Sequence, residues 1–67
     1  MDHVDEWNAK HPPGTRVLYF PTAGSFSHMR TTTRSYAWRL ASGDPLVKVE
    51  GVVGGVSLEH VVPEVEA

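Results

Sequence analysis

A series of short segments with β-strand character, separated by glycine- and proline-containing turns, most constrains what this chain can fold into. Residues 15–20, 30–42, 46–50 and 56–60 combine β-branched, aromatic and aliphatic side chains, and most of these alternate with polar ones. Gly54-Gly55 separates the last two segments and suits a tight hairpin that needs positive φ. The pattern therefore predicts a mainly β domain of four to five short antiparallel strands.

Within these segments the alternation assigns side chains to faces. Val47 and Val49 are expected to point inward, with the intervening Lys48 outward. Residues 30–42 read as one long, bent strand, and residues 61–63 as a turn or a last strand pairing. Residues 21–29, which contain proline, glycine and serine, form the longest predicted loop.

The N-terminal residues 2–10 are predicted to form a short helix or a helical turn. Asp2 can cap it, acidic side chains follow in the first turn, and Val4 and Trp7 lie three residues apart on one face. A helix this short needs tertiary contacts, so Trp7 either docks it on the body or presents it to a partner. The sequence His-Pro-Pro-Gly at residues 11–14 ends the helix.

With 67 residues the chain is one domain, close to the size at which a hydrophobic core alone can hold a fold. We expect a small SH3-like antiparallel barrel at residues 12–63, preceded by an acidic helical segment at 1–11 and followed by a frayed tail at 64–67. The alternative is a three-stranded sheet with the helix packed across it.

Catalytic and metal-binding patterns are missing from the sequence. There is no cysteine for a disulfide or a thiolate zinc site, and His3, His11, His28 and His60 do not have the spacing that places two imidazoles on one helix face. The glycine-rich segment 51–55 lacks the lysine and the following helix of a phosphate-binding loop. We expect no enzyme activity, no metal and no cofactor.

The net charge of −2 conceals a segregation along the chain. Residues 1–9 carry three acidic side chains, residues 10–48 carry six basic ones against one aspartate, and residues 49–67 carry four glutamates. The first residues have neither the positive start nor the apolar run of a secretory signal, and no segment has the ~20 apolar residues of a membrane span. These observations predict a cytoplasmic protein without membrane contact.

Exposed aromatic side chains beside basic ones are the strongest candidates for binding. Small barrels bind partners through such residues because aromatic rings supply large contact area at low entropic cost. The competing interpretation is that most of the rings form the core. The candidate binding residues are Trp7, Phe26, Arg30, Arg34, Tyr36 and Arg39.

Three stretches, HPPGTRVLYFP, TRSYAW and VKVEGVVGGVSLEHVVP, resemble short uncharacterised proteins encoded by bacteriophages and by bacterial genomes with phage-like regions. The similarity covers residues 7–63. It implies a phage or prophage accessory protein that acts on a host or virion protein, and it transfers no catalytic or binding residue.

The first functional hypothesis is a non-enzymatic protein-interaction module that uses the loop at residues 21–29, Tyr36 or Phe26, and nearby arginines. The alternatives are weak nucleic-acid binding through a basic strand face and a structural or oligomerising role through free strand edges, as a monomer or homodimer. The basic residues of the nucleic-acid hypothesis are Arg16, Arg30, Arg34, Arg39 and Lys48.

Overall fold

The computed structural model describes residues 2–22 and 24–64. Over these residues the chain forms one α-helix, six short β-strands and one 3-10 helix. In chain order they are α1 (His3–Lys10), β1 (Arg16–Tyr19), β2 (Met29–Thr32), β3 (Trp38–Arg39), β4 (Pro45–Lys48), β5 (Gly55–Ser57), the 3-10 helix η1 (Leu58–His60) and β6 (Val61–Pro63). In residues 2–22 and 24–64, neither helix has the length and apolar composition that a membrane-spanning helix requires.

The strands form two antiparallel three-stranded sheets, which confirms a mainly β domain with a short N-terminal helix. The first sheet has the order β2-β1-β6 and the second has the order β3-β4-β5. In the described residues the two sheets do not close into a barrel. The prediction of a closed barrel from the strand spacing was therefore wrong. The helix lies beside both sheets, because Asp2, which precedes it, binds Arg39 of β3, and Trp7 of the helix lines a groove together with Val62 of β6.

The two sheets are joined through the segment that links β2 to β3. Thr33 forms an isolated bridge with Val49, flanked by hydrogen bonds from the Arg34 N–H to the Lys48 carbonyl (2.7 Å) and from the Glu50 N–H to the Thr32 carbonyl (2.9 Å). The single long strand predicted over residues 30–42 is therefore two strands with an interruption.

The interruption has a physical cause in the helix. Both backbone groups of Ala37 are bonded to the Asn8 side chain, since the Ala37 N–H donates to Asn8 Oδ1 (2.8 Å) and Asn8 Nδ2 donates to the Ala37 carbonyl (3.0 Å). A side-chain amide thus takes the place of a neighbouring strand at the residue before β3.

The core lies between the sheets and is built mainly from valine. Val17, Val47 and Val49 are completely buried, and Leu58 is almost so. Lys48 is exposed, which confirms the predicted alternation along β4. The helix adds Val4 and Trp7 to the same cluster.

The hairpin between β4 and β5 shows which glycine needs positive φ. Gly54 has φ +79°, as predicted for this turn. Gly55 has no positive φ and is needed for space, because a Cβ there would lie 2.9 Å from the Trp38 ring. Trp38 therefore rests directly on the backbone of β5.

The C-terminal part of the chain departs from the predicted strand at residues 56–60. The strand ends at Ser57, and Leu58 enters the core from the 3-10 helix. Residues 61–63 then pair with β1, the second of the two predicted options. The Glu64 N–H donates to the Arg16 carbonyl (2.9 Å), so Glu64 extends this pairing, and the rest of the predicted frayed tail, residues 65–67, lies outside the described residues.

Candidate functional site

The outward-facing surface of the first sheet gathers side chains from three strands. In β1, Val17 points into the core, so Leu18 points outward. Cross-strand partners project to the same face, which places Arg30 of β2 and Val62 of β6 on either side of Leu18. We call this surface the outer face; its central row is Arg30, Leu18 and Val62.

Phe20 extends the outer face at the end of β1. Its N–H donates to the His60 carbonyl (2.9 Å), which continues the pairing of β1 with β6. On its other side the His28 ring packs against the Phe20 ring, with centroids 5.1 Å apart and planes inclined by 38°. Phe20 is therefore flanked by histidines from two different parts of the chain.

Phe26 stands out from the loop that connects β1 to β2 (residues 21–22 and 24–28, the β1–β2 loop). It is 94% exposed, more than any other aromatic side chain in the described part of the chain. The loop around it is held by its own hydrogen bonds. His28 Nδ1 lies 2.9 Å from the Phe26 carbonyl, the Ser27 N–H donates to Ser25 Oγ (3.1 Å), and the Ser25 N–H donates to the Thr22 carbonyl (3.2 Å).

A groove of about 390 Å³ runs between this loop and the 3-10 helix η1. Phe20 contributes the aromatic surface of its lining, and Glu59 contributes a carboxylate. The groove is shallow, as expected of a domain too small to enclose a deep cavity. The remaining lining residues are Thr22, Gly24, Ser25 and His60.

Two of the predicted binding residues belong to this region. Phe26 lies in the β1–β2 loop, and Arg30 lies on the outer face, where its Nε is 3.7 Å from a carboxylate oxygen of Glu64. The Arg30 side chain is largely exposed, so the ion pair is of the surface type that contributes little to stability.

Two other predicted binding residues have structural contacts elsewhere. Arg34 donates from Nε to the Val49 carbonyl (3.2 Å) and from Nη2 to the Val52 carbonyl (3.4 Å), and so supports the turn between β4 and β5. Arg39 binds both carboxylate oxygens of Asp2 and also donates to the Gly43 carbonyl. Arg39 therefore ties the start of the helix to the β3–β4 turn.

The contact between Asp2 and Arg39 shifts the pKa of both groups. The hydrogen bond from Arg39, and to a smaller extent its positive charge, hold the pKa of Asp2 below its ordinary value of 3.8, although partial desolvation acts in the opposite direction. The same hydrogen bond raises the pKa of Arg39.

Trp7 and Tyr36 complete the predicted set. Trp7 is only 6% exposed, belongs to the core cluster and packs beside the His11 ring at 4.5 Å, so it docks the helix instead of presenting it to a partner. Of the two roles predicted for Trp7, its burial agrees with docking of the helix, and its selection as a binding residue stays a prediction. Tyr36 is 56% exposed, but it lies in the segment linking β2 to β3 and not in the β1–β2 loop.

The outer face also contains residues that sequence reasoning did not select. Leu18 and Val62 were missed as site residues, and so were His28 and His60. The alternation in residues 15–20 placed Leu18 and Phe20 on one face. No local signal could show that β6 would lie beside β1, because that pairing joins residues more than forty positions apart.

The described residues, 2–22 and 24–64, contain no cluster of three or more side chains that could hold a metal ion. Comparison of the chain with protein-family models, curated proteins and solved structures finds no match.

Proposed function

We propose that this protein is a small non-enzymatic protein-interaction module that binds its partner through Phe26 and the adjoining groove. The observation that carries the proposal is the 94% exposure of Phe26 on a loop braced by three hydrogen bonds. Exposure of a large aromatic side chain to water is unfavourable in free energy. The fold buries other apolar side chains, such as Val17 and Leu58, but leaves Phe26 exposed. An exposed phenylalanine on an ordered loop is a suitable anchor for a complementary surface.

The free energy that Phe26 would contribute to binding is large enough to measure. Burial of a phenylalanine side chain is worth about 1.5–3 kcal/mol, which corresponds to roughly ten- to a hundred-fold in affinity. Because the loop hydrogen bonds already restrict the backbone on either side of Phe26, binding loses less conformational entropy than it would for a free loop. The groove beside Phe20 offers a second contact next to the anchor.

The distribution of charge favours a protein partner over a nucleic acid. Arg39 is paired with Asp2, Arg30 is close to Glu64, and Arg34 is bonded to backbone carbonyls. Lys48 lies in the second sheet and not on the outer face. Arg16 and Arg30 line one groove together with the carboxylates of Glu50 and Glu64. The basic side chains are thus interspersed with acidic ones in a protein of net charge −2, which favours a protein partner, and nucleic-acid binding is the alternative that the test must exclude.

The proposal also includes the fold assignment and the biological setting. An open variant of the SH3-like barrel is supported by the segment at residues 29–39, which passes from the first sheet to the second, and by the 3-10 helix before the last strand. A cytoplasmic phage or prophage accessory protein that acts on a host or virion protein is supported by the resemblance of residues 7–63.

The test compares affinity capture by three versions of the full chain. Wild type, Phe26→Ala and Val53→Ala are immobilised at equal density and exposed to a lysate of the bacterium that carries the gene, with quantitative mass spectrometry of the bound proteins. Val53 is a matched control, because it is a fully exposed apolar residue in the turn between β4 and β5. We expect one or more proteins to be lost at least about ten-fold with Phe26→Ala and retained with Val53→Ala.

Equal capture by wild type and Phe26→Ala would contradict the proposal. So would fluorescence anisotropy showing that oligonucleotides bind with a steep salt dependence unaffected by Phe26→Ala, because that result would assign the function to phosphate contacts. Thermal unfolding of all three versions serves as the folding control, and we expect the same midpoint for each since both side chains are exposed.

A further inference from the structure

We infer that His28 is a positioning residue that holds Phe26 in its exposed orientation by linking it to Phe20 of the outer face. Two independent contacts support this. The His28 ring packs on the Phe20 ring at 5.1 Å, and its Nδ1 lies 2.9 Å from the Phe26 carbonyl. That this arrangement serves partner binding rests on the proposed function; the arrangement itself does not.

The hydrogen bond to Phe26 requires a proton on one particular nitrogen of the His28 imidazole. A carbonyl oxygen only accepts hydrogen bonds, so the proton lies on His28 Nδ1. Both the neutral Nδ1–H tautomer and the imidazolium satisfy this requirement.

The geometry explains why the ring and the donor are both needed. Phe20 follows β1 directly, and its N–H is bonded to the His60 carbonyl, so its position is set by the first sheet. Packing on Phe20 positions the His28 ring, and the hydrogen bond from Nδ1–H then restrains the backbone of Phe26. On the other flank the Ser27 N–H bond to Ser25 Oγ limits the same short segment.

Three substitutions separate the two contacts. His28→Ala removes both the ring and the donor. His28→Phe keeps an aromatic ring for Phe20 but has no donor for the Phe26 carbonyl, whereas His28→Asn keeps a side-chain N–H near the position of Nδ1 but loses the ring. A residue without a positioning role would tolerate all three equally.

The measurement is limited proteolysis of the full chain with chymotrypsin, which cleaves after aromatic residues, with mass spectrometry to follow each bond. The readout is the cleavage rate between Phe26 and Ser27, relative to the rate after Tyr36, which is also exposed but lies outside the β1–β2 loop. When reclosing is faster than cleavage, this rate reports the population of the open loop.

We expect cleavage after Phe26 to be about five-fold or more faster in His28→Ala, with the rate after Tyr36 and the unfolding temperature unchanged. Loss of the hydrogen bond alone, in His28→Phe, should raise the rate about two- to five-fold. His28→Asn should also lie between wild type and His28→Ala. Wild-type rates in all three variants would overturn the inference, as would a parallel rise after Tyr36, which signals a general loss of stability.

Failure of this inference can be distinguished from failure of the proposed function. If Phe26→Ala loses the captured partner while the His28 variants show wild-type cleavage, the interaction stands and the positioning role falls. If His28→Ala loosens the loop while Phe26→Ala captures normally, the positioning contact stands and the proposed binding surface falls. If both stand, capture by the three His28 variants should weaken in the same order in which their cleavage rates rise.

Discussion

Replacement of Asn8 by alanine should cost this domain about half of its stability. The Asn8 amide both accepts from the Ala37 N–H and donates to the Ala37 carbonyl, at 2.8 and 3.0 Å, across 29 residues of sequence. Ala37 is buried, and no strand lies beside it to replace these bonds. Both backbone groups would lose their partner in the variant.

The magnitude follows from these contacts. A backbone group left unsatisfied in a buried position costs about 1–3 kcal/mol, and water can reach this partly buried site, so we take about 1–1.5 kcal/mol for each group. Alanine is a better helix former than asparagine by about 0.6 kcal/mol, which offsets part of the loss. The expected net loss is about 1.4–2.4 kcal/mol, against a total of roughly 3–5 kcal/mol for a domain of this size.

The assay is chemical and thermal unfolding followed by circular dichroism. For a small domain the expected loss lowers the unfolding temperature by roughly 6–20 °C. Lys10→Ala is the control, because Lys10 is exposed on the same helix and its removal should change the free energy of unfolding by less than about 0.5 kcal/mol.

Asn8→Asp provides a sharper comparison at nearly the same shape. At neutral pH its carboxylate can accept from the Ala37 N–H but has nothing to donate to the Ala37 carbonyl. Below about pH 4 the protonated carboxyl regains a donor, so this variant should gain stability relative to Asn8→Ala as the pH falls. A loss below about 0.5 kcal/mol in Asn8→Ala, or an identical pH dependence of the two variants, would refute the assigned role.

Two further predictions concern other contacts of the fold. Gly55→Ala should lower the free energy of unfolding in urea by about 1–3 kcal/mol, because the new Cβ would lie 2.9 Å from the Trp38 ring. In a Trp38→Leu background the same substitution should cost much less, since the ring is no longer there. The contact between Asp2 and Arg39 should stabilise the fold above about pH 3.8 and be lost as the pH falls through the lowered pKa of Asp2; Asp2→Asn should remove this acid-dependent part of the unfolding curve, and an unchanged curve would contradict it.

Local sequence patterns were sufficient for most of the secondary structure. The helix at the N-terminus, the strand before Pro21, the inward valines of β4 and the positive φ of Gly54 all follow from periodicity and turn chemistry. Asp2 stands at the predicted cap position, but its side chain makes no capping hydrogen bond and binds Arg39 instead. These properties depend on residues that are close together in the chain, so the sequence alone carries them. Phe26 was also identified from sequence as an aromatic residue in the longest loop.

The candidate site depended on contacts that are distant in sequence. The pairing of β6 with β1 decides that Val62 stands beside Leu18 and His60 beside Phe20. Sequence reasoning grouped the arginines as one binding set, but Arg39 found its partner in Asp2, 37 residues away.

The sequence by itself therefore determined which short segments form strands and helix, and which face of β4 is apolar. Both properties depend on alternation and turn residues, which act over a few neighbouring positions. Only the tertiary structure decided that Trp7 is buried and that Ala37 lies between two strands, bonded to Asn8. It also decided which side chains share the outer face. The reason is that several segments carry apolar groups on both faces, so the choice between core and surface is made by what packs against them.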